Sequence, residues 1–258
     1  MYNDLAGLKK TVASVLNQTC KDYEYIILDG GSTDGCVEYM DSLQFHGKKK
    51  SEKDSGIYNA MNKAVKMAEG DYCLFLNAGD TLYDETVLEQ AAQVLQDDDF
   101  YVGKTMEIGE KSISRDVPVP MTIGYLIRES IFHQSTFTRR QLLLDHPYSE
   151  QLSIVSDWAL FFERWLYGSS FKILDFYVSN YYLGGFSSKH RDMLEQERYE
   201  VVKRLIPSRI LEFYIPEETD SDFVKLVNKV ERAMRLSPIQ RDFKLLRNAI
   251  KSLIKDLF

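Results

Sequence analysis

Cysteine is scarce in this 258-residue chain. Cys20, Cys36 and Cys73 are odd in number and share no close pair, which excludes a disulfide framework and a zinc site and fits a reducing compartment. Long apolar runs are missing as well. No stretch approaches the ~20 apolar residues that a membrane span needs, and no signal-peptide core follows Met1. The expectation is a cytoplasmic protein, at most peripheral to the inner face of the cell membrane. Positive charge is also short: 32 Lys and Arg against 39 Asp and Glu leave a net charge of -7. That balance argues against a general nucleic-acid binder, which neutralises phosphates with a basic face. Any grip on a phosphorylated ligand must be local. The 44% apolar and 28% charged content is that of a globular chain with room for one large domain, or one domain with a helical appendage.

The most telling stretch runs from Tyr72 through Asn77-Ala78-Gly79 to Asp80. It reads as a buried strand that leaves the sheet in a small polar loop and ends on one carboxylate. In an open α/β sheet ligands gather at the carboxyl ends of strands, where Asp80 would stand. A plain turn before the next helix is the competing reading.

Upstream, Asp4 or Asn3 can cap a helix with Leu5, Leu8, Val12, Val15 and Leu16 at helical spacing. Residues 23–28 form a β-rich run that ends in Asp29-Gly30-Gly31-Ser32-Thr33-Asp34-Gly35, either a ribose- or base-reading turn or an ordinary strand-to-helix joint. The run Lys48-Lys49-Lys50 suggests a solvated loop. After Asp54-Ser55-Gly56, a helix is expected with Ile57, Ala60, Met61, Ala64, Val65 and Ala68 on its apolar face. Asn59, Asn62 and Lys63 would then emerge together beside a ligand held at Asp54. The alternation of strands and helices implies a mainly parallel sheet covered by helices. It lapses after the acidic run 97–99. Short strands are expected at 100–102 and 104–108 with a hairpin turn after them, a short helix at 121–127, and a strand over 131–137.

Ser156-Asp157-Trp158 opens an amphipathic helix. Asp157 falls in its first turn, where the helix dipole favours an ionised carboxylate, so it is either a general base or an N-terminal cap. Downstream, Ser187, Ser188, Lys189 and His190 could contact phosphate, or could form a surface turn. A charged helix is expected at 191–205, with further helices at 222–234 and 239–258. The last carries an apolar stripe and a basic face, Arg247, Lys251 and Lys255. It suits an anionic membrane surface, packing on its own domain, or a homodimer contact.

Taken in order, the Asp29 to Gly35 turn, the stretch Ser51 to Lys63, Phe75 to Asp80, Phe132-His133-Gln134 and Ser156-Asp157-Trp158 resemble the GT-A inverting glycosyltransferases of the large family that builds bacterial surface polysaccharides. The resemblance covers about residues 3 to 188, and five motifs agreeing in order are far more specific than any one. It implies an α/β fold of the GT-A, Rossmann-like type, a mainly parallel sheet flanked by helices with a helical C-terminal extension. The domain would occupy residues 1–188 and the extension 189–258. Similar proteins carry an apolar strand ahead of Tyr2-Asn3, so the expectation is either that the numbered chain omits residues of the protein or that the pocket lacks that wall.

The resemblance also implies roles. Asp29 would accept hydrogen bonds from the base or ribose of a nucleoside-diphosphate sugar, UDP first among the nucleotides. Asp54 would sit over the nucleoside and donor sugar, with Asn62, Lys63 and Asn77 on the donor side. Asp80 matches the last carboxylate of the family's Asp-x-Asp motif, a hard oxygen ligand for Mg²⁺ or Mn²⁺. Asn77 and Gly79 stand where other members often carry Asp, which implies weaker metal binding. His133, Gln134 and Trp158 would face the glycan or lipid-linked acceptor, and Asp157 would take the proton of its hydroxyl. The reading from a different class is a non-catalytic sugar-nucleotide or glycan-binding module of the same fold.

Overall fold

The computed structural model describes residues 1–45, 47–184 and 190–206. The expected helices at 222–234 and 239–258, and Ser187, Ser188 and Lys189, lie outside these described residues. The chain divides into two compact units, one made of Met1–Met121 with Ser130–Arg198 and the other of Thr122–Glu129 with residues from Tyr199 onward. The second contains a short helix, α5 (Ile123–Arg128), in which Leu126 and Ile127 are buried. All site residues discussed below belong to the first.

That unit opens with α1 (Leu5–Leu16), capped as expected by Asp4, whose side chain accepts from the Gly7 N–H at 2.9 Å. Next come β1 (Tyr25–Asp29), α2 (Cys36–Ser42) and β2 (Gly47–Ser51), with β1 and β2 paired in parallel. The lysine run is therefore a strand where a loop was expected, though it is largely exposed to solvent as expected. Its charges are answered locally: Lys48 pairs with Glu24 and Glu69 at 2.7 Å, and Lys50 with Glu52 at 2.8 Å. Lys49 donates to the carbonyls of Met40 and Leu43 at the end of α2.

The helix α3 (Ile57–Met67) forms, but rotated from the expected face. Tyr58, Met61, Asn62 and Val65 are buried, while Ile57 is 41% exposed. Tyr58, Met61 and Val65 pack with Leu143, Tyr148 and Leu160. Then β3 is only Tyr72–Cys73, followed by β4 (Thr81–Leu82) and α4 (Val87–Val94). Residues 74–76 nevertheless keep a strand's alternation, since Tyr72, Leu74 and Leu76 pack against one apolar cluster and Cys73 and Phe75 against another.

The sheet's centre is β5 (Phe100–Ile108), one long strand where two short ones were expected, with β6 (Ile113–Arg115) folded back on it. A Cβ at Gly103 would lie 2.4 Å from Val178 Cγ2, so glycine there permits the tight approach of β8 (Phe171–Tyr182), where the pairing shifts register. A 3₁₀ turn at His133–Ser135 leads into β7 (Thr136–Arg139), and α6 (Arg140–Asp145) and α7 (Ser156–Leu166) follow. The last described helix is α8 (Arg191–Leu205). In the six-stranded sheet the order is β3-β7-β5-β8-β4, with β6 off β5. Parallel pairing survives between β5 and β8, whereas β3, β7, β4 and β6 make antiparallel ladders. The sheet is thus mixed, because strand-helix alternation stops at β5.

Candidate active site

Two carboxylates define the site, and each is built into a different piece of the fold. Asp80 ends the loop between β3 and β4, and α1 holds that loop from behind. The Thr11 hydroxyl donates to the Asp80 carbonyl at 2.7 Å and accepts from the Gly79 N–H at 3.0 Å. Gly79 has a φ of +98°, a backbone state that favours glycine. A Cβ on Gly7 would stand 2.8 Å from the Gly79 nitrogen, so a glycine inside α1 is what lets the loop sit down on the helix.

The Asp80 side chain is 5% exposed. Its Oδ2 accepts from the Gln134 amide at 2.9 Å and its Oδ1 from the Tyr182 N–H at a longer 3.3 Å. Burial pushes this carboxyl above the usual range, and the Gln134 bond and the nearby His133 offset that only in part. A buried carboxylate left in that condition gains from a cation. Among the described residues no group of three or more His, Cys, Asp or Glu is arranged to hold a metal. A divalent ion would therefore find one protein carboxylate, Asp80, with lone pairs to spare on Oδ1. The residues present fit a hard ion whose other oxygens come from a diphosphate and water. Gln134, expected to face the acceptor, instead holds Asp80.

The second carboxylate, Asp157, sits in the first turn of α7. Its Oδ2 faces His133 Nδ1 at 2.5 Å, and its Oδ1 accepts from the Tyr58 hydroxyl at 2.9 Å and the Trp158 N–H at 2.8 Å. An ionised carboxylate only accepts, so the ring proton lies on Nδ1, and Nε2 accepts from the Asn77 amide at 3.2 Å. Burial works against the charge of Asp157, yet the His133 bond, the Trp158 N–H and the Tyr58 hydroxyl together bring its carboxyl below the usual range. The site thus contains an ionised carboxylate braced by histidine, with the line Asn77–His133–Asp157–Tyr58 running from the Asp80 loop to α3.

The turn at His133–Ser135 explains how one short segment reaches so much. In the strand expected there, neighbouring side chains would point to opposite faces. In the 3₁₀ turn His133 reaches Asp157, Gln134 reaches Asp80, and Ser135 bonds the hydroxyls of Thr105 and Ser179 at 2.7 Å each.

On the donor side the expected residues fall into two groups. Asp29 is 2% exposed, and its carboxylate accepts from the N–H groups of Gly31 and Ser32 and from the hydroxyls of Ser32 and Ser51. Those bonds hold it below the usual range against its burial. Instead of offering free oxygens to a base or ribose, it shapes the Gly30-Gly31 turn. Asp54 is brought against that turn, since a Cβ on Gly30 would lie 2.8 Å from Asp54 Oδ2. Lys63 pairs with Glu52 at 3.1 Å.

Asn62 is turned inward with the rotated face of α3. Its amide donates to the Tyr148 carbonyl and accepts from the Tyr148 N–H, at 2.9 and 3.0 Å, and it also reaches Glu150. It braces the loop before α7 and does not face a donor. Trp158 is 2% exposed, stacked on Phe162. Core packing leaves its ring no surface for an acceptor. Gly7, Thr11, Tyr58 and Glu150 are among the contributors that escaped the sequence reading. Only Gly7 carried a signal, as a glycine inside an otherwise regular helix.

Solved structures share this architecture. Residues 1–349 of TarS from Staphylococcus aureus, in complex with UDP, align with a TM-score of 0.61 at 17% identity, over 92% of this chain and 70% of that one. The mannosyltransferase PcManGT from Pyrobaculum calidifontis, in complex with GDP-Man and Mn²⁺, aligns with a TM-score of 0.60 at 13% identity, over 98% of this chain and 78% of that one. The fold is GT-A, a mixed sheet flanked by helices.

The family model for glycosyl transferase family 2 matches residues 1–149, and the chain belongs to that family. A PGL/p-HBAD biosynthesis glycosyltransferase of Mycobacterium tuberculosis is 30% identical over 168 residues, 60% of this chain and 63% of the relative. The poly(ribitol-phosphate) beta-N-acetylglucosaminyltransferase TarP of Staphylococcus aureus is 32% identical over 94 residues, 33% of this chain and 28% of the relative. This chain therefore matches about 63% of the length of its curated mycobacterial relatives. No helix among the described residues is long and apolar enough to cross a membrane.

Proposed function

We propose that this chain transfers a sugar, with inversion, from a nucleoside-diphosphate sugar to a hydroxyl of a glycan or lipid-linked acceptor in the building of a surface polysaccharide or glycolipid. The observation that carries the reading is Asp157, an ionised carboxylate held by His133 at 2.5 Å in a family 2 chain. Asp157 accepts the proton of the acceptor hydroxyl as the oxygen attacks the anomeric carbon. The carbon–oxygen bond to the diphosphate breaks in the same step, so no covalent enzyme intermediate is needed. His133 and Tyr58 hold the carboxylate in one orientation, so that it does not rotate away from the attacking oxygen.

Asp54, against the Gly30-Gly31 turn shaped by Asp29, contacts the nucleoside end of the donor, with Lys63 and Asn77 nearby. Mg²⁺ or Mn²⁺ at Asp80 would supply Lewis-acid stabilisation of the departing diphosphate. The structural neighbours support the donor class: TarS is solved in complex with UDP and with UDP-GlcNAc, and PcManGT with GDP-Man and Mn²⁺. The names of the relatives, in PGL/p-HBAD biosynthesis and poly(ribitol-phosphate) modification, support the acceptor class.

The test is a thermal-shift screen of UDP-, GDP- and dTDP-sugars with Mn²⁺ or Mg²⁺, followed by donor turnover in wild type and Asp157→Asn. Stabilisation by one donor family, and turnover lost in the variant with donor binding kept, is the expected result. Stabilisation by none of them would sink the donor assignment.

A further inference from the structure

The structure assigns Glu197 of α8 as a positioning residue for the His133–Asp157 pair. The inference deepens the reading of Asp157 as the base and rests on it.

The helix α7 begins at Ser156 with no side-chain cap of its own. The N–H groups just ahead of it, on Ser153, Ile154 and Val155, all donate to the Glu197 carboxylate, at 2.7, 3.0 and 3.2 Å. One carboxylate from a helix some forty residues later thus fixes three consecutive peptide planes directly before Asp157. Charge-assisted bonds to main-chain N–H groups are strong and directional, and they add to the favourable placement of negative charge at a helix start. From the opposite side the Tyr58 hydroxyl lies 2.6 Å from the Ile154 carbonyl and 2.9 Å from Asp157 Oδ1. The segment is therefore held between α3 and α8.

The neighbouring residue extends the grip. Arg198 is buried, with its guanidinium over the Trp158 ring at 4.9 Å and a bond of 2.5 Å to the Ser130 hydroxyl. Trp158 follows Asp157 directly, and Ser130 lies three residues before His133. Two consecutive residues of α8 thus fasten both chain segments that bring the dyad together. The separation of His133 from Asp157 is set by where α8 holds those segments. The charged helix whose role was open at the sequence level acquires one: it sets the geometry of the base without touching it.

The test reads the dyad directly. Ring ¹⁵N shifts of His133 near neutral pH, assigned by their loss in His133→Gln, report which nitrogen carries the proton. In wild type a single tautomer with the proton on Nδ1 is expected. Glu197→Ala should give a mixed ring pattern and lower kcat by up to about 100-fold, the cost of misplacing a catalytic group by about 1 Å, with donor KM unchanged. Glu197→Gln keeps one acceptor oxygen at nearly the same volume and should fall between the two; it carries the test if the alanine variant does not fold. A wild-type-like ring pattern in folded Glu197→Ala or Glu197→Gln overturns the inference. Asp157→Asn, assayed alongside, separates the two readings: transfer retained there removes the base assignment, whereas transfer lost there with the ring pattern unmoved by Glu197 removes only this one.

Discussion

His133 and Gln134 are neighbours in the chain, yet each serves a different carboxylate: the histidine faces Asp157 at 2.5 Å and the glutamine donates to Asp80 at 2.9 Å. The proposed base and the proposed metal anchor are therefore held by a single turn. Moving that turn would move both, which ties proton removal and leaving-group stabilisation to one piece of backbone.

Asp157→Asn should leave the fold and donor binding intact and lower kcat by about 10²–10⁴-fold, the usual contribution of a general base. A donor-turnover assay with thermal-shift titration of the same donor checks both halves. Transfer within a few-fold of wild type would place the base elsewhere.

His133→Ala removes the first of the groups that stabilise the ionised form of Asp157. The carboxyl pKa then rises, so the acid limb of the kcat/KM profile moves to higher pH. Stability follows the same sign. In wild type the folded pKa of Asp157 is depressed, so its contribution is present above the ordinary aspartate value and is lost as pH falls through the folded one. Acid unfolding of His133→Ala should begin at higher pH than in wild type, as circular dichroism would register.

Asp80→Asn should cost activity and raise stability together. The Asp80 carboxyl is pushed up by burial, so above its folded pKa the ionised form opposes folding, and a neutral isostere relieves that. In metal-free buffer near neutral pH a Tm gain of about 2–4 °C is expected, the shift that about 1 kcal/mol gives in a chain of this size. Mn²⁺-dependent stabilisation by donor should disappear. A lower Tm in the variant would show that the charge is already compensated.

Gly7→Ala tests the support behind the Asp80 loop. The added Cβ would meet Asp4 Oδ2 at 2.2 Å and the Gly79 nitrogen at 2.8 Å, so α1 and the loop must part. Helix propensity alone would favour alanine by ~1 kcal/mol. The clash should outweigh it, for a net loss of about 1–3 kcal/mol by chemical denaturation and weaker donor binding.

The sequence disclosed the alternation of the first 95 residues, the cap at Asp4, the glycine turn after Asp29 and both carboxylates of the candidate site, because each of these depends on local chemistry or on a motif. What it concealed depends on pairing at a distance. Lys48-Lys49-Lys50 reads as a loop until β1 is brought beside it as a pairing strand. Asn62 looks like a polar surface residue because the ring of Tyr58 can take the buried place expected of Ile57, and a rotation of about one residue, ~100°, turns Asn62 in and Ile57 out while Met61 and Val65 stay buried. Tyr58 and Glu197 were out of reach for the same reason. Their partners lie 99 and more than 40 residues away in the chain, and a hydroxyl or carboxylate carries no mark of what it will bond.

The ladder between β5 and β8 joins residues about seventy positions apart, and it bears on the order in which the molecule assembles. During synthesis α1, β1, α2 and β2 can settle as soon as they emerge, since Leu8, Val12, Ile27, Cys36 and Met40 share one cluster and β2 pairs with β1. The β4 strand cannot pair until β8 arrives, and neither can the Tyr182 N–H reach Asp80. Long-range closure of that kind is the slow step in chain collapse. Asp80 therefore takes its final place only when most of the chain has left the ribosome, and a nascent fragment ending before residue 171 would carry the Asp29 and Asp54 loops without a finished setting for the proposed metal anchor.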